Sequence, residues 1–89
     1  MLFACPSIYK KPVEPDVLDA HRVWLKQAIA DGVIVSAGRR DPAIGGLIIL
    51  RAENQAAAQA ILAADPFTQQ GVADYDTLGF NPTVGDIKG

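Results

Sequence analysis

The chain has 89 residues, 49% of them hydrophobic and 20% charged, with a formal net charge of −2. This composition, with no long polar or repetitive tract, excludes a disordered or fibrous protein and supports one modest core, so a homodimer is expected to bury more surface. Scattered basic residues argue against nucleic acid or an anionic membrane surface as partner, no apolar run approaches the roughly 20 residues of a membrane span, and one cysteine without a signal-like N-terminus suggests the cytoplasm.

"LFACPSIY" reads as a first strand of aromatic, small and β-branched residues. Pro6 has no N–H to donate, so it should mark the end of the strand, a bulge or an unpaired edge position. The loop "KKPVEPD" follows. Asp16 is the expected cap of a helix over about 16–31, Asp19 completes a partial capping box, and Gly32 in "DG" is a left-handed stop.

"VIVSAG" is short and β-branched, "RRDPAIGG" holds turn residues, and "LIILRA" is the nearly unbroken apolar run of a strand buried on both faces. Together they predict a hairpin with a loose loop. "ENQAAAQAILAAD" is alanine-rich, opens on the capping candidate Asn54 and stops at Asp65 because Pro66 follows. "VADYDTLGF" closes the domain as a fourth strand, and residues 81–89 form a tail that frays or docks on a partner. The order strand, helix, strand, strand, helix, strand is the split βαβ arrangement of a ferredoxin-like α+β fold, a single domain with an antiparallel sheet and helices on one face.

Two polar residues break the apolar pattern. At 100° per residue Val17, Ala20, His21, Trp24, Leu25 and Ala28 share one helix face, which puts the only histidine among core positions. On the second helix Ala58, Ile61 and Leu62 form the apolar face, and Asp65 falls on it at the last position. With both helices on one side of the sheet, His21 and Asp65 can meet. A carboxylate on one imidazole nitrogen fixes the tautomer, raises the basicity of the other nitrogen and steadies the cation, which makes a general base. Each residue also has a purely structural reading: His21 as a satisfied core residue, and Asp65 as the N-cap of a turn with Pro66 at its first position. One Asp oxygen can cap while the other holds the ring, so the readings are compatible.

The "AH" in the first helix, "SAG" after "DGVIV", "GGLIIL", "AAAQAILAADPF" and the glycine of "FTQQG" together resemble the YciI-like (YCII-related) family over nearly the whole chain. "DPF" followed four residues later by Gly71 carries the resemblance most specifically. It implies a dimeric α+β barrel of ferredoxin-like subunits and a pocket with a His–Asp dyad, here His21 and Asp65, with Pro66 orienting the aspartate. It also implies cofactor-free proton abstraction with elimination from a hydroxylated, chlorinated aromatic. The chain departs from the family where an arginine commonly precedes the histidine, having Glu14, Val17 and Leu18 there, and where a hydroxyl often opens the third strand, having Gly45 and Gly46.

That arginine would hold an anionic substrate or oxyanion; Arg39 or Arg40 can replace it from the hairpin, or belong to a solvated turn. Ser36 offers a hydroxyl to the pocket, or is small enough to pack beside a glycine. Trp24 and Phe67 are core or dimer contacts, one of which can wall the pocket and face a flat ring. Cys5 in an apolar strand reads as inert filling, no G-x-S-x-G elbow supports acyl transfer, and a single His without CxxC or HxxxH spacing argues against a metal site. The expectation is a small lyase or isomerase without cofactor or metal, acting on a compact cyclic or aromatic hydroxylated molecule. The competing expectation is a non-catalytic dimeric ligand-binding or accessory module. A cavity beside the imidazole separates them, because a structural pair would be packed shut.

Overall fold

The computed structural model describes residues 1–87. The chain runs β1 (Leu2–Tyr9), α1 (Pro15–Ala30), β2 (Ile34–Arg39), β3 (Gly46–Arg51), α2 (Gln55–Ala63), α3 (Pro66–Gln69), β4 (Ala73–Tyr75) and β5 (Leu78–Phe80). All pairings are antiparallel, in the order β2-β3-β1-β4 with β5 also on β1. This is the ferredoxin-like α+β arrangement, with the expected fourth strand broken into β4 and β5 and the short helix α3 added. Of the expected tail, residues 88 and 89 lie outside the described part, and residues 81–87 contain neither helix nor strand.

That break explains Pro6. It lies inside β1 and does not end it: β5 pairs with Leu2–Ala4 and β4 with Ser7–Tyr9, so Pro6 faces the gap between them. There its carbonyl accepts from the Asp76 N–H at 2.9 Å, and the donor it lacks would have had no ladder partner.

The core lies between the sheet and the two longer helices, where Phe3 and Cys5 of β1, Ile34 of β2 and Ile48 and Leu50 of β3 meet Ala28, Ala58 and Leu62. β3 alternates: Ile48 and Leu50 are buried, Ile49 is half-buried and Leu47 exposed. Within one chain, then, the run is covered on one face only, because both helices pack on the same side, which corrects the expected two-sided burial.

Helix α1 begins one residue earlier than expected. Glu14 is the N-cap, without a side-chain cap bond, and Pro15 occupies the first turn. The proline ring presets φ for that position and lacks an N–H that would need a partner, while Asp16, the expected cap, adds its charge to the positive end of the helix dipole. At the far end Gly32 has φ +79°, Gly32 N–H bonds the Ile29 carbonyl and Val33 N–H bonds the Ala28 carbonyl, a Schellman stop. The buried side of α1 comprises Val17, Leu18, His21, Trp24, Leu25 and Ala28, while Ala20 faces solvent. Asn54 caps α2 as expected, accepting from Ala57 N–H at 2.8 Å.

Candidate functional site

Four residues of local grammar build one wall of the site. Pro66 disfavours helical φ/ψ at the residue before it, and Asp65 is extended at φ −66°, ψ 128°. From there its carboxylate turns back to accept from the Phe67 N–H at 3.0 Å, capping α3 with Pro66 at the first helical position. Gly71, at φ +68°, ends the helix: Gly71 N–H bonds the Thr68 carbonyl (3.2 Å) and Val72 N–H the Phe67 carbonyl (2.8 Å). Phe67 and Val72 then pack together, the apolar contact that accompanies this motif. The spacing of "DPF" and Gly71 is thus that of a single capped turn. It fixes Asp65, which is fully buried.

Onto this turn α1 lowers His21. Its Nδ1 lies 2.6 Å from Asp65 Oδ1, the oxygen that also caps Phe67, and its side chain retains 12% exposure against 0% for Asp65. The ring stacks on Phe67 at 3.7 Å between centroids and 2° between planes. Tyr75 of β4 donates its hydroxyl to Asp65 Oδ2 at 2.5 Å. A carboxylate is acceptor-only, so Nδ1 carries a hydrogen toward Asp65, and in the neutral ring Nε2 keeps the lone pair. Burial first, then the hydrogen bond to Asp65, raises the Tyr75 pKa far above the ordinary phenol range, so the hydroxyl remains a donor.

A cavity of about 140 Å³ opens beside the imidazole, lined by His21, Leu18, Leu25 and Phe67 from the helical side and by Tyr9, Ala37, Gly38, Arg39, Leu47 and Ile48 from the sheet. The His21–Asp65 pair is therefore not packed shut. The cavity's lining residues are apolar except for His21, Tyr9 and Arg39, so Arg39 is the cationic residue among them.

The remaining candidates separate. Ser36 does not join the site. Ile34 pairs with Leu50 and Ser36 with Ile49, so Val35 is an extra residue that reverses the alternation and turns Ser36 to the face away from the helices. Ala37, opposite Ile48, takes the cavity-facing position instead. Arg40 is also elsewhere: its Nη1 donates to the Ser7 carbonyl at 3.0 Å, beside Ile8, Lys10 and Asp74. Trp24 packs against the core with its ring centroid 6.2 Å from that of His21, and it is not on the cavity wall. Gly45 presses on the first strand so closely that a Cβ would sit 1.9 Å from the Ser7 carbonyl oxygen, which leaves no space for a hydroxyl-bearing residue. Cys5 is fully buried, and burial pushes its thiol up to about 11, which removes it from nucleophilic chemistry. Among the described residues no three His, Cys, Asp or Glu side chains converge on a possible metal position, and no helix is long and apolar enough to cross a membrane.

Tyr75 is the member of the constellation that sequence reasoning missed. Its strand has three residues and its partner lies ten positions away, so neither periodicity nor a local motif marks it.

Residues 1–81 match the YCII-related domain family. No curated protein sequence matches the chain. Among solved structures, a 5-chloro-2-hydroxyhydroquinone dehydrochlorinase from Burkholderia phenoliruptrix AC1100, in complex with 2,5-dihydroxybenzoquinone, is similar with a TM-score of 0.73 and 22% identity, covering 91% of this chain and 94% of that one. A muconolactone isomerase is similar with a TM-score of 0.77 and 15% identity, covering 100% of this chain and 97% of that one. At these identities the likeness is one of fold.

Proposed function

The chain belongs to the YCII-related domain family, and from that premise we propose that it is a small lyase or isomerase in which His21 is a general base for a single-ring, hydroxylated substrate. The observation that carries this reading is the 2.6 Å contact of His21 Nδ1 with a fully buried carboxylate, next to an open cavity. A cavity of about 150 Å³ with apolar walls accommodates one benzene-sized ring, and the cavity here has about that volume. His21 Nε2 takes a proton from a ring hydroxyl or an acidic ring carbon. Asp65 offsets the charge of the imidazolium, and Arg39 offsets the negative charge left on the ring. In an elimination the freed electron pair expels a leaving group; in an isomerisation the imidazolium returns the proton to a different atom. That the two similar structures are a dehydrochlorinase and an isomerase supports this choice of reaction classes.

The same reading takes the protein as a homodimer. The sheet face away from the helices carries exposed Ile8 and Leu47 and half-buried Ile49, side chains that a second copy would cover. Sedimentation at micromolar concentration checks it, with a monomer overturning the dimer.

The test of function is an NMR titration of the single imidazole, alone and with a panel of hydroxylated aromatic rings. A ring that titrates, shifts with a ligand and loses that response in Asp65→Asn supports a working base. An imidazole silent to pH and to every ring overturns it in favour of a structural pair.

A further inference from the structure

We propose that Tyr75 is a positioning residue of the site, holding the Asp65 carboxylate in the plane and charge state in which it can serve His21. The inference rests on the reading of His21 and Asp65 as a dyad and adds a third member to it.

The argument begins with the number of lone pairs to be satisfied. Asp65 is fully buried, so water cannot serve its carboxylate. Oδ1 already accepts from two groups, His21 Nδ1 at 2.6 Å and Phe67 N–H at 3.0 Å. Both act on one oxygen and leave the other without a donor. Tyr75 supplies that donor. Its hydroxyl meets Oδ2 at 2.5 Å, and its backbone is held in the sheet opposite Ser7. The carboxylate is thus pinned at two atoms from three directions: α1, the N-terminus of α3, and β4.

Tyr75 does not touch the substrate cavity. It lines a different hollow, with Gln59, Leu62, Thr68 and Thr77. Its polar contact with the site is therefore the one to Asp65. The ionisable groups acting on the phenol are Asp65, Tyr9 and Cys5, and of these Asp65 bears the hydrogen bond.

The experiment follows the Asp65 carboxyl carbon by NMR across pH in the full chain, with turnover measured alongside. Tyr75→Phe keeps the ring and removes the donor. The Asp65 pKa should rise, and the acid limb of the kcat profile should move up by about one pH unit. At the same time kcat should fall on the order of tenfold, with KM nearly unchanged. Placing 3-fluorotyrosine at position 75 makes the phenol a stronger donor while preserving the packing, so the Asp65 pKa should move the opposite way. This second substitution decides the matter if Tyr75→Phe does not fold. An Asp65 titration unmoved by either change overturns the proposal. So does a Tyr75→Phe loss of activity that is equally large in an Asp65→Asn background, since Tyr75 would then act by another route. A chain that turns over no ring substrate yet shows both opposed carboxyl shifts would overturn the enzymatic reading and leave the role of Tyr75 standing.

Discussion

The two walls of the cavity are built in opposite ways. On the helical side, His21, Phe67 and Asp65 are held by hydrogen bonds of 2.5 to 3.0 Å and a ring stack at 3.7 Å, and the carboxylate has no exposure. On the other side, Ala37, Gly38 and Arg39 lie at the exposed end of β2, an edge strand next to the hairpin loop. On the proposed function the difference suits each wall to a task. A pair that transfers a proton must be held to within a fraction of an ångström, which is where several constraints coincide. Substrate preference is altered by exchanging exposed side chains, which costs little stability at an edge.

The strongest way to break this comparison is to remove the pair. With ring-substrate turnover as the readout, His21→Gln should lose on the order of 10²- to 10⁴-fold in kcat, the range of a general base, while the melting temperature changes little. Asp65 is different, because its carboxylate also builds the wall. Asp65→Ala deletes a cap and leaves the Tyr75 hydroxyl, the Phe67 N–H and the His21 Nδ1 without their acceptor. Urea unfolding should show a loss of about 2–4 kcal/mol. Asp65→Asn keeps an equally good cap, so it should cost roughly half of that while still suppressing turnover. Equal stability of the alanine and asparagine variants would sink the idea that catalysis and capping share one oxygen.

The same contrast governs what the sequence could reveal. The fixed wall is written locally: "DPF" and Gly71 spell cap, first-turn proline, apolar anchor and left-handed stop within seven residues, and His21 stands out on an apolar helix face. The order of the longer helices and strands along the chain was equally legible from their patterns and caps. The open wall was not. A single extra residue at Val35 reverses the side-chain alternation without any glycine or proline to mark it, so the sequence leaves the face of Ser36 open. Arg39 and Arg40 are adjacent and chemically equal, and only the course of the backbone after β2 sends one to the cavity and the other to the Ser7 carbonyl. Pro6 was ambiguous for a related reason, since the break between β4 and β5 that accommodates it lies some seventy residues further along the chain.

A smaller effect is expected from the cation on the open wall. Arg39→Gln removes a charge from an exposed strand end, so stability should stay within about 0.5 kcal/mol. If Arg39 meets the anionic form of the substrate, KM should rise on the order of tenfold, and the rise should shrink as salt is added. The matched change Arg40→Gln should leave KM alone. An Arg40 effect as large as that of Arg39 would mean that the two walls are less distinct than their geometry.

The smallest effect is the most discriminating, because it depends on one bulge. Strict alternation from Ile34 would direct the Ser36 hydroxyl at the imidazole; the extra residue Val35 instead directs it away and turns Ala37 inward, opposite Ile48. Ser36→Ala should therefore be silent, within about 0.5 kcal/mol in stability and with kcat/KM unchanged. Ala37→Ser places a hydroxyl where the alternation alone would have put that of Ser36. It should alter kcat/KM several-fold between rings that differ by one hydroxyl, since a donor on the cavity wall favours the partner that can pair with it. If Ser36→Ala reduced turnover while Ala37→Ser left substrate preference unaltered, β2 would be in the unbulged register, Ser36 would belong beside the dyad, and the open wall would carry a polar catalytic contact of its own.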